Sequence, residues 1–303
     1  MYSSSDSLNT TLDSVVSEVE SQAQPCYVRV LREYTGIPEE SRHIIDILSN
    51  LINCLPEEIY IVLLKLRKNY TNVDLSHRFN VNEKKIRTVF AKRLPSIAEV
   101  FKNFIVWPSS LEIKYMLPIA FRRNFREVQA IIDCFEIEIQ KPKDPILQAL
   151  TWSDYKKCNT MKYLVASTPN GAVIFISDGF GGRTSDIELT QKSGFVDKIP
   201  EGAYVLADRG FKNLAGLLHR KGSSLVRPPS VESGTKMSKS DVRKTKQVAS
   251  VRIHIERVIG RLREFYFLKP HSCIHHNMIK YLDHCTIVAC GIINLQPALI
   301  KEN

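Results

Sequence analysis

A chain of 303 residues with 44% hydrophobic and 24% charged residues has the composition of a globular protein, long enough for one large domain with a small companion. It shows no apolar run near the roughly 20 residues of a membrane span, no basic-then-apolar signal peptide, and seven scattered cysteines that suggest no disulfide framework. We therefore expect a soluble intracellular protein from a reducing compartment, without membrane contact.

The net charge of +10 is unevenly distributed along the chain. Residues 1–50 contain three Arg and no Lys against eight Asp or Glu, a net of −5, so the remaining 253 residues carry +15. Residues 220–269 alone contain 13 Lys or Arg against four acids, a net of +9. This asymmetry is typical of a nucleic-acid-binding protein with an acidic leader, but a solvated basic face would have the same composition.

Composition divides the chain into four parts. Residues 1–38 begin with a polar, Ser-rich and acidic stretch, which predicts a mostly disordered leader. Residues 39–104 show Ile and Leu at helical intervals and predict a small all-α domain, and residues 105–127 are interpreted as a linker. From residue 128 to 298 the pattern turns to strands and helices.

The helical part has the pattern of a helix-turn-helix. LPEEIYIVLLKLRKNY opens on Pro56 and ends on basic residues, and NVDLSHRFNVNEKKIRTVFAKRL predicts two short helices, with Asn82 as N-cap of the second. That second helix is apolar on one side and basic on the other, as expected of a helix that enters the major groove. A generic helical bundle with a charged surface would look the same. The predicted DNA contacts are Lys84, Lys85, Arg87, Lys92 and Arg93.

The part from 128 to 298 predicts an α/β or α+β domain. VQAIIDCFEIEI, NTMKYLVAST and GAVIFISDGF are three successive strand-type runs separated by polar or Gly/Pro turns. Helices and strands then alternate, with strands near 203–208 and 224–227 and closing helices near 240–266 and 277–294. Three strands followed by this alternation favour a layered sheet with helices on its faces.

Three carboxylates in different local contexts are the candidate catalytic residues. Asp133 lies within the first apolar strand, Asp208 ends a later strand just before Arg209-Gly210, and Glu256 lies in a basic helical stretch. They are too far apart in the chain for one local turn, so only the fold can bring them together. Converging carboxylates suit hard divalent cations such as Mg²⁺.

Each candidate has an alternative explanation. Asp133 could face water on an edge strand, and Glu136 or Glu138 could replace it. Asp208 could serve only the turn that follows it. Glu256 could simply pair with Arg252 one helical turn away. Asp186, a rival second acid, follows Ser185 at the predicted start of a helix, which favours a structural or supporting role.

Taken together, the motifs resemble those of the Harbinger-type DDE-superfamily transposases and the nuclease-like host proteins derived from them. The resemblance covers nearly the whole chain from about residue 50 and rests on IIDCFEIEI, TWSDYKKCNTMKYLVASTPNGAVIFIS, GGRTSD, VLADRGF and VRIHIERVIGRLREF. It implies an RNase H-like catalytic domain with a mixed central sheet. It also implies that Asp133, Asp208 and Glu256 match the Asp-Asp-Glu triad of the family, and that Asp186 lies outside it.

The resemblance further implies a DNA endonuclease or transposase that cleaves phosphodiesters and transfers strands, with two Mg²⁺ or Mn²⁺ ions held by the three acids. The partner is double-stranded DNA, at transposon ends and at the target, and the compartment is the nucleus. A homodimer and a separate DNA-binding accessory protein stay open as partners. The alternative functions are a domesticated DNA-binding protein without catalysis and a nuclease acting on RNA. Further candidate phosphate contacts are Lys156, Arg209, Arg252, Arg257 and Arg261.

Overall fold

The structure, a computed structural model, describes residues 25–229 and 238–299. Its N-terminal part is helical. The helices are α1 (Cys26–Arg29), α2 (Leu31–Thr35), a 3-10 turn (Glu39–Ser41), α3 (Ile44–Leu51), α4 (Pro56–Lys68), α5 (Asn72–Phe79) and α6 (Glu83–Lys102). As predicted, α4 begins with Pro56 and two acids and ends with basic residues, and Asn69 closes it in the left-handed conformation. Both ends therefore match the helix dipole.

Helices α5 and α6 are separated by a short turn whose caps are local. Thr71 and Asp74 form a reciprocal capping box at the start of α5, and the predicted N-cap Asn82 accepts a hydrogen bond from the Lys85 backbone N–H at 2.8 Å. The prediction that α6 is short is wrong. It runs for 20 residues and passes through Pro95, because its apolar side continues to be buried as far as Phe101.

Two parts of the chain that we expected to lack structure contain helices. Residues 1–24 of the predicted leader lie outside the described residues, but residues 26–35 form α1 and α2, where Tyr27 and Leu31 are buried. The leader therefore does not extend to residue 38. The predicted linker at 105–127 contains α7 (Ser110–Tyr115) and α8 (Ile119–Arg122), and α7 starts with a capping box of its own.

A mixed sheet of seven strands forms the second half of the chain. The strands are β1 (Val128–Glu138), β2 (Trp152–Ser153), β3 (Cys158–Ser167), β4 (Val173–Ile176), β5 (Phe180–Gly181), β6 (Tyr204–Leu206) and β7 (Ser224–Val226). The main order is β2-β3-β1-β6-β7, and β4 and β5 pair with β3. Strand β1 is antiparallel to β3 but parallel to β6, which is parallel to β7. This mixed α/β arrangement is compatible with the predicted RNase H-like domain.

Helices follow or interrupt these strands and cover both faces of the sheet. They are α9 (Pro145–Thr151), α10 (Asp186–Lys192), α11 (Phe195–Lys198), a 3-10 turn (Arg209–Phe211), α12 (Leu214–Arg220), α13 (Lys239–Leu262), a 3-10 turn (Tyr266–Leu268), α14 (His276–Ile279) and α15 (Leu282–Asn294). The predicted closing helix at 240–266 is present as α13, which ends four residues earlier than expected, and the one predicted at 277–294 is divided into α14 and α15. No single described helix is long and apolar enough to span a membrane, and only the bent pair Glu39–Leu51 and Pro56–Lys68 passes such a test, by length and composition alone.

The N-terminal helices share one hydrophobic core with one face of the sheet. That core joins residues of α4 and α6 to β1, α13 and α15, while a second core lies on the other face of the sheet. Asn294 at the end of α15 connects these parts. Its amide bonds both the N–H and the C=O of Val173 on β4, at 2.8 Å each, and donates to the Phe104 carbonyl at 2.9 Å. The helical region is therefore packed on the half of the chain that contains the sheet.

Candidate active site

Asp133 lies in the middle of β1, on the face that packs beneath α13. Its strand neighbours on that face, Ile131 and Phe135, belong to the shared core. One Asp133 oxygen accepts a hydrogen bond from the Cys134 backbone N–H at 2.8 Å. Burial raises the pKa of Asp133 from 3.8 to about 6, against the lowering effects of that hydrogen bond and of the positive charge on Arg252. The fold therefore holds a half-buried carboxyl group on this face of the sheet, and its ionised form lowers the stability of the folded protein.

Asp208 is brought beside Asp133 by the parallel register of β1 and β6. Ile131 pairs with Leu206; Asp133 lies two residues further along β1, and Asp208 lies two residues beyond Leu206, where β6 ends. Neighbouring strands are about 4.8 Å apart, so the two carboxylates belong to one cluster, and Asp208 contributes to raising the pKa of Asp133. Asp208 also caps the 3-10 turn that follows, accepting from the Arg209 N–H at 2.7 Å. Asp208 therefore both caps the turn that follows it and lies in one cluster with Asp133.

Glu256 reaches the cluster from α13. Val251 and Ile255 are buried against the sheet, which leaves Arg252 and Glu256 beside that contact. Arg252 joins the acids: its Nη1 lies 3.3 Å from Asp208 Oδ2 and its Nη2 lies 2.8 Å from Glu256 Oε1. The predicted pairing of Glu256 with Arg252 is present, but the same guanidinium also binds an acid 44 residues earlier.

The carboxylates surround this guanidinium rather than a common point. Within the described ranges, no three His, Cys, Asp or Glu side chains are arranged to hold one metal ion. The chemistry of the donors still suits a divalent cation, because Asp208 and Glu256 contact one positive charge, Asp133 lies within its electrostatic influence, and carboxylate oxygens are the ligands that Mg²⁺ and Mn²⁺ prefer. In this arrangement the Arg252 guanidinium occupies one oxygen each of Asp208 and Glu256.

The rival acids are bound to other groups, in a cluster that the sequence did not reveal. Lys162 on β3 is 9% exposed, and its ammonium lies 3.3 Å from Asp186 and 3.5 Å from Glu136. Glu136 also accepts from the Thr160 hydroxyl at 2.8 Å, and Glu138 lies 3.2 Å from a nitrogen of an exposed histidine. These contacts favour structural roles for the rival acids. A lysine in an otherwise apolar strand was the one signal available for this cluster.

Some of the predicted DNA contacts on α6 already form ion pairs within the protein. Lys84 and Lys92 are exposed, and Arg87 pairs with an acid on its own helix at 3.2 Å. Lys85 lies 3.2 Å from Glu58 of α4. Arg93 lies 2.5 Å from the same carboxylate with its side chain only 14% exposed, so it holds α6 against α4.

The predicted contacts in the sheet-containing half of the chain differ in their surroundings. Arg209 and Arg257 are exposed, and each follows one of the acids directly in the chain. Lys156 is also exposed, and its ammonium lies 4.6 Å from the ring centre of the neighbouring tyrosine. Arg261 instead donates to the Pro297 carbonyl at 2.8 Å. Nine residues correspond to about two and a half helical turns, which puts Arg261 on the side of α13 opposite Arg252.

A family model for the DDE superfamily endonucleases matches residues 132–294, more than half of the chain. The chain therefore belongs to the DDE superfamily endonuclease family. The matched segment begins one residue before Asp133 and includes Asp208 and Glu256, together with the sheet and the helices that position them. No curated protein and no solved structure matches the chain.

Proposed function

We propose that this protein is a Harbinger-type transposase, a metal-dependent DNA endonuclease in which Asp133, Asp208 and Glu256 form the catalytic triad. One observation carries the proposal: a single guanidinium bridges Asp208 and Glu256 beside the half-buried Asp133. The feature that separates this cluster from the one around Lys162 is the half-buried Asp133 with its raised pKa, which is typical of functional sites.

The three acids would hold Mg²⁺ or Mn²⁺, two ions in the family pattern. A bound divalent ion lowers the pKa of water and stabilises developing charge on phosphodiester oxygens. The protein contributes a rigid strand carrying Asp133, a strand end that fixes Asp208 through its cap, and a packed helix that presents Glu256. In the absence of metal, Arg252 neutralises Asp208 and Glu256. With metal bound to the acids, its guanidinium would be available for a phosphate oxygen of the substrate.

Double-stranded DNA is the proposed substrate, at transposon ends and target. The exposed basic residues of α6, Lys84 and Lys92, support DNA recognition by the α5–α6 region, and Arg209 and Arg257 flank the acids. Such phosphate contacts give an affinity that falls with salt concentration. A nuclear location, a homodimer and a separate DNA-binding accessory protein belong to the same proposal.

The test is cleavage of supercoiled plasmid with Mg²⁺ or Mn²⁺, comparing wild type with Asp208→Ala. The matched control is Asp197→Ala, whose side chain is 83% exposed and lies 3.5 Å from Lys221 rather than at Arg252. We expect metal-dependent nicking by wild type and the control, and none by Asp208→Ala. Equal nicking by all three proteins would show that the triad is wrong. A folded wild type that binds DNA without cleaving it would favour the non-catalytic DNA-binding alternative.

A further inference from the structure

A second strongly basic feature lies away from the acids, in an open groove of about 780 Å³ between α2, the end of α4 and the end of α13. Two acids, Glu33 and Glu264, also line it. With five basic side chains, the lining has a net of three positive charges. The basic residues are Arg32, Arg67, Lys68, Arg263 and Lys269.

The acids of this basic groove neutralise only part of that charge. Glu33 pairs with Lys68, and Glu264 Oε2 lies 2.7 Å from Arg67 Nη2. In the part of the chain that the structure describes, no carboxylate lies within ion-pair distance of the side chains of Arg32, Arg263 and Lys269. The excess positive charge is therefore available to an anion.

Two arginine nitrogens at the groove have no hydrogen-bond partner. Arg67 is 8% exposed and its guanidinium is stacked 4.9 Å from the Phe265 ring centre, yet its Nη1 has no acceptor. The buried Nε of Arg263 also has none. A buried donor without an acceptor costs about 1–3 kcal/mol, so native proteins usually supply an acceptor from the chain, water or a bound ion. Both nitrogens are closed off from solvent, so an anion at the groove is indicated mainly by the unpaired charges of Arg32, Arg263 and Lys269.

The groove is aligned with the candidate active site along one face of α13. Gly260 lines the groove one turn after Glu256, and Arg263 follows about two turns after Glu256. Seven residues of α-helix span about 10 Å, and successive phosphates of one DNA strand rise about 3.4 Å along the duplex axis. A strand that runs along α13 with its scissile phosphate at the acids would therefore bring a nearby phosphate of the same strand to the groove.

We propose that the basic groove binds a backbone phosphate of the substrate DNA, a few nucleotides from the bond to be cleaved. This inference rests on the proposed function, since it takes the substrate and the position of the acids from it. Guanidinium and ammonium groups would hold the phosphodiester through charge-assisted hydrogen bonds. Such contacts do not distinguish between bases. The groove thereby fixes the position of the strand relative to the acids.

Gly260 offers a way to change the groove without disturbing the packing. A Cβ added at Gly260 meets no atom within 4 Å, so a side chain there projects into open space. Gly260→Glu adds a carboxylate to the groove, and replacing a glycine inside a helix does not weaken the helix. Gly216 in α12 is the matched control, because its added Cβ also meets nothing within 4 Å and it does not line the groove.

The experiment measures binding of a fluorescent DNA duplex by anisotropy, in EDTA and over a range of salt concentrations. We expect Gly260→Glu to weaken binding at least tenfold and to reduce the slope of log affinity against log salt by about one, since about 0.9 is lost per phosphate contact. Gly216→Glu, with the same change of charge, should bind like wild type. Lys269→Gln should act in the same direction as Gly260→Glu, with a smaller effect.

Wild-type affinity for Gly260→Glu, or equal weakening by Gly260→Glu and Gly216→Glu, would overturn the inference. A third outcome would also overturn it. If inorganic phosphate stabilises the wild type against heat, and Gly260→Glu abolishes this stabilisation without changing DNA binding, the groove binds soluble phosphate and not DNA. The binding assay contains no metal. A wild type that binds DNA through the groove but cleaves nothing would thus contradict the proposed chemistry alone.

Discussion

Replacing Asp133 by asparagine should stabilise the protein at alkaline pH. Burial raises the pKa of this carboxyl from 3.8 to about 6, so above pH 6 the folded protein holds a charge that the unfolded chain carries more easily. Each tenfold change in proton affinity corresponds to about 1.4 kcal/mol, so ionised Asp133 destabilises the fold by about 3 kcal/mol. Asparagine has nearly the same shape and keeps an oxygen to accept from the Cys134 N–H.

The pH dependence of this gain has a definite sign. A carboxyl whose pKa is raised on folding contributes its stability at low pH and loses it as pH rises through about 6. The gain from Asp133→Asn should therefore be under 1 kcal/mol at pH 4, grow between pH 4 and 6, and approach 3 kcal/mol at pH 8. Urea unfolding in EDTA, followed by tryptophan fluorescence, measures it at each pH.

Asp197→Asn is the control, because its side chain is 83% exposed and the substitution should change stability by less than 0.5 kcal/mol at either pH. The reasoning is refuted if Asp133→Asn is no more stable than wild type at pH 8. It is refuted equally by a gain of the same size at pH 4 and pH 8, since a gain independent of pH cannot come from a buried charge.

Three further predictions concern the site and its support. Arg252→Met should bind Mn²⁺ at a lower concentration than wild type, because no guanidinium then has to leave the acids; an unchanged or higher midpoint in a thermal-shift titration would contradict this. Arg93→Met should cost about 2 kcal/mol, because half-buried Glu58 would keep only the exposed Lys85 as its ion-pair partner. Lys92→Met should cost less than 0.5 kcal/mol and instead weaken DNA binding; equal stability of the two variants by urea unfolding would contradict this prediction. Gly291→Ala should cost about 1–3 kcal/mol, because its Cβ would lie 2.6 Å from a ring atom of Phe101; an unchanged unfolding midpoint would show that α6 and α15 are not packed as described.

Local patterns were sufficient to predict most of the elements. The strand at Val128–Glu138 was evident from its apolar run, and Asn82 was identified as an N-cap because a cap depends on side chains within three residues. The same locality explains two failures. The pattern did not predict that the helix beginning at Glu83 continues through Pro95, nor that residues 26–35 are helical, because both depend on distant apolar partners.

The sequence by itself determined which residues could be catalytic, since an aspartate in an apolar strand, an aspartate at a strand end and a glutamate in a basic helix are each visible locally. Only the tertiary structure decided that they meet. The β1–β6 register sets Asp133 beside Asp208, and the packing of α13 brings Glu256 to them through Arg252. It also decided that Arg93 lies in an ion pair between helices. Contacts between residues far apart in the chain depend on strand order and helix packing, and no local pattern encodes those.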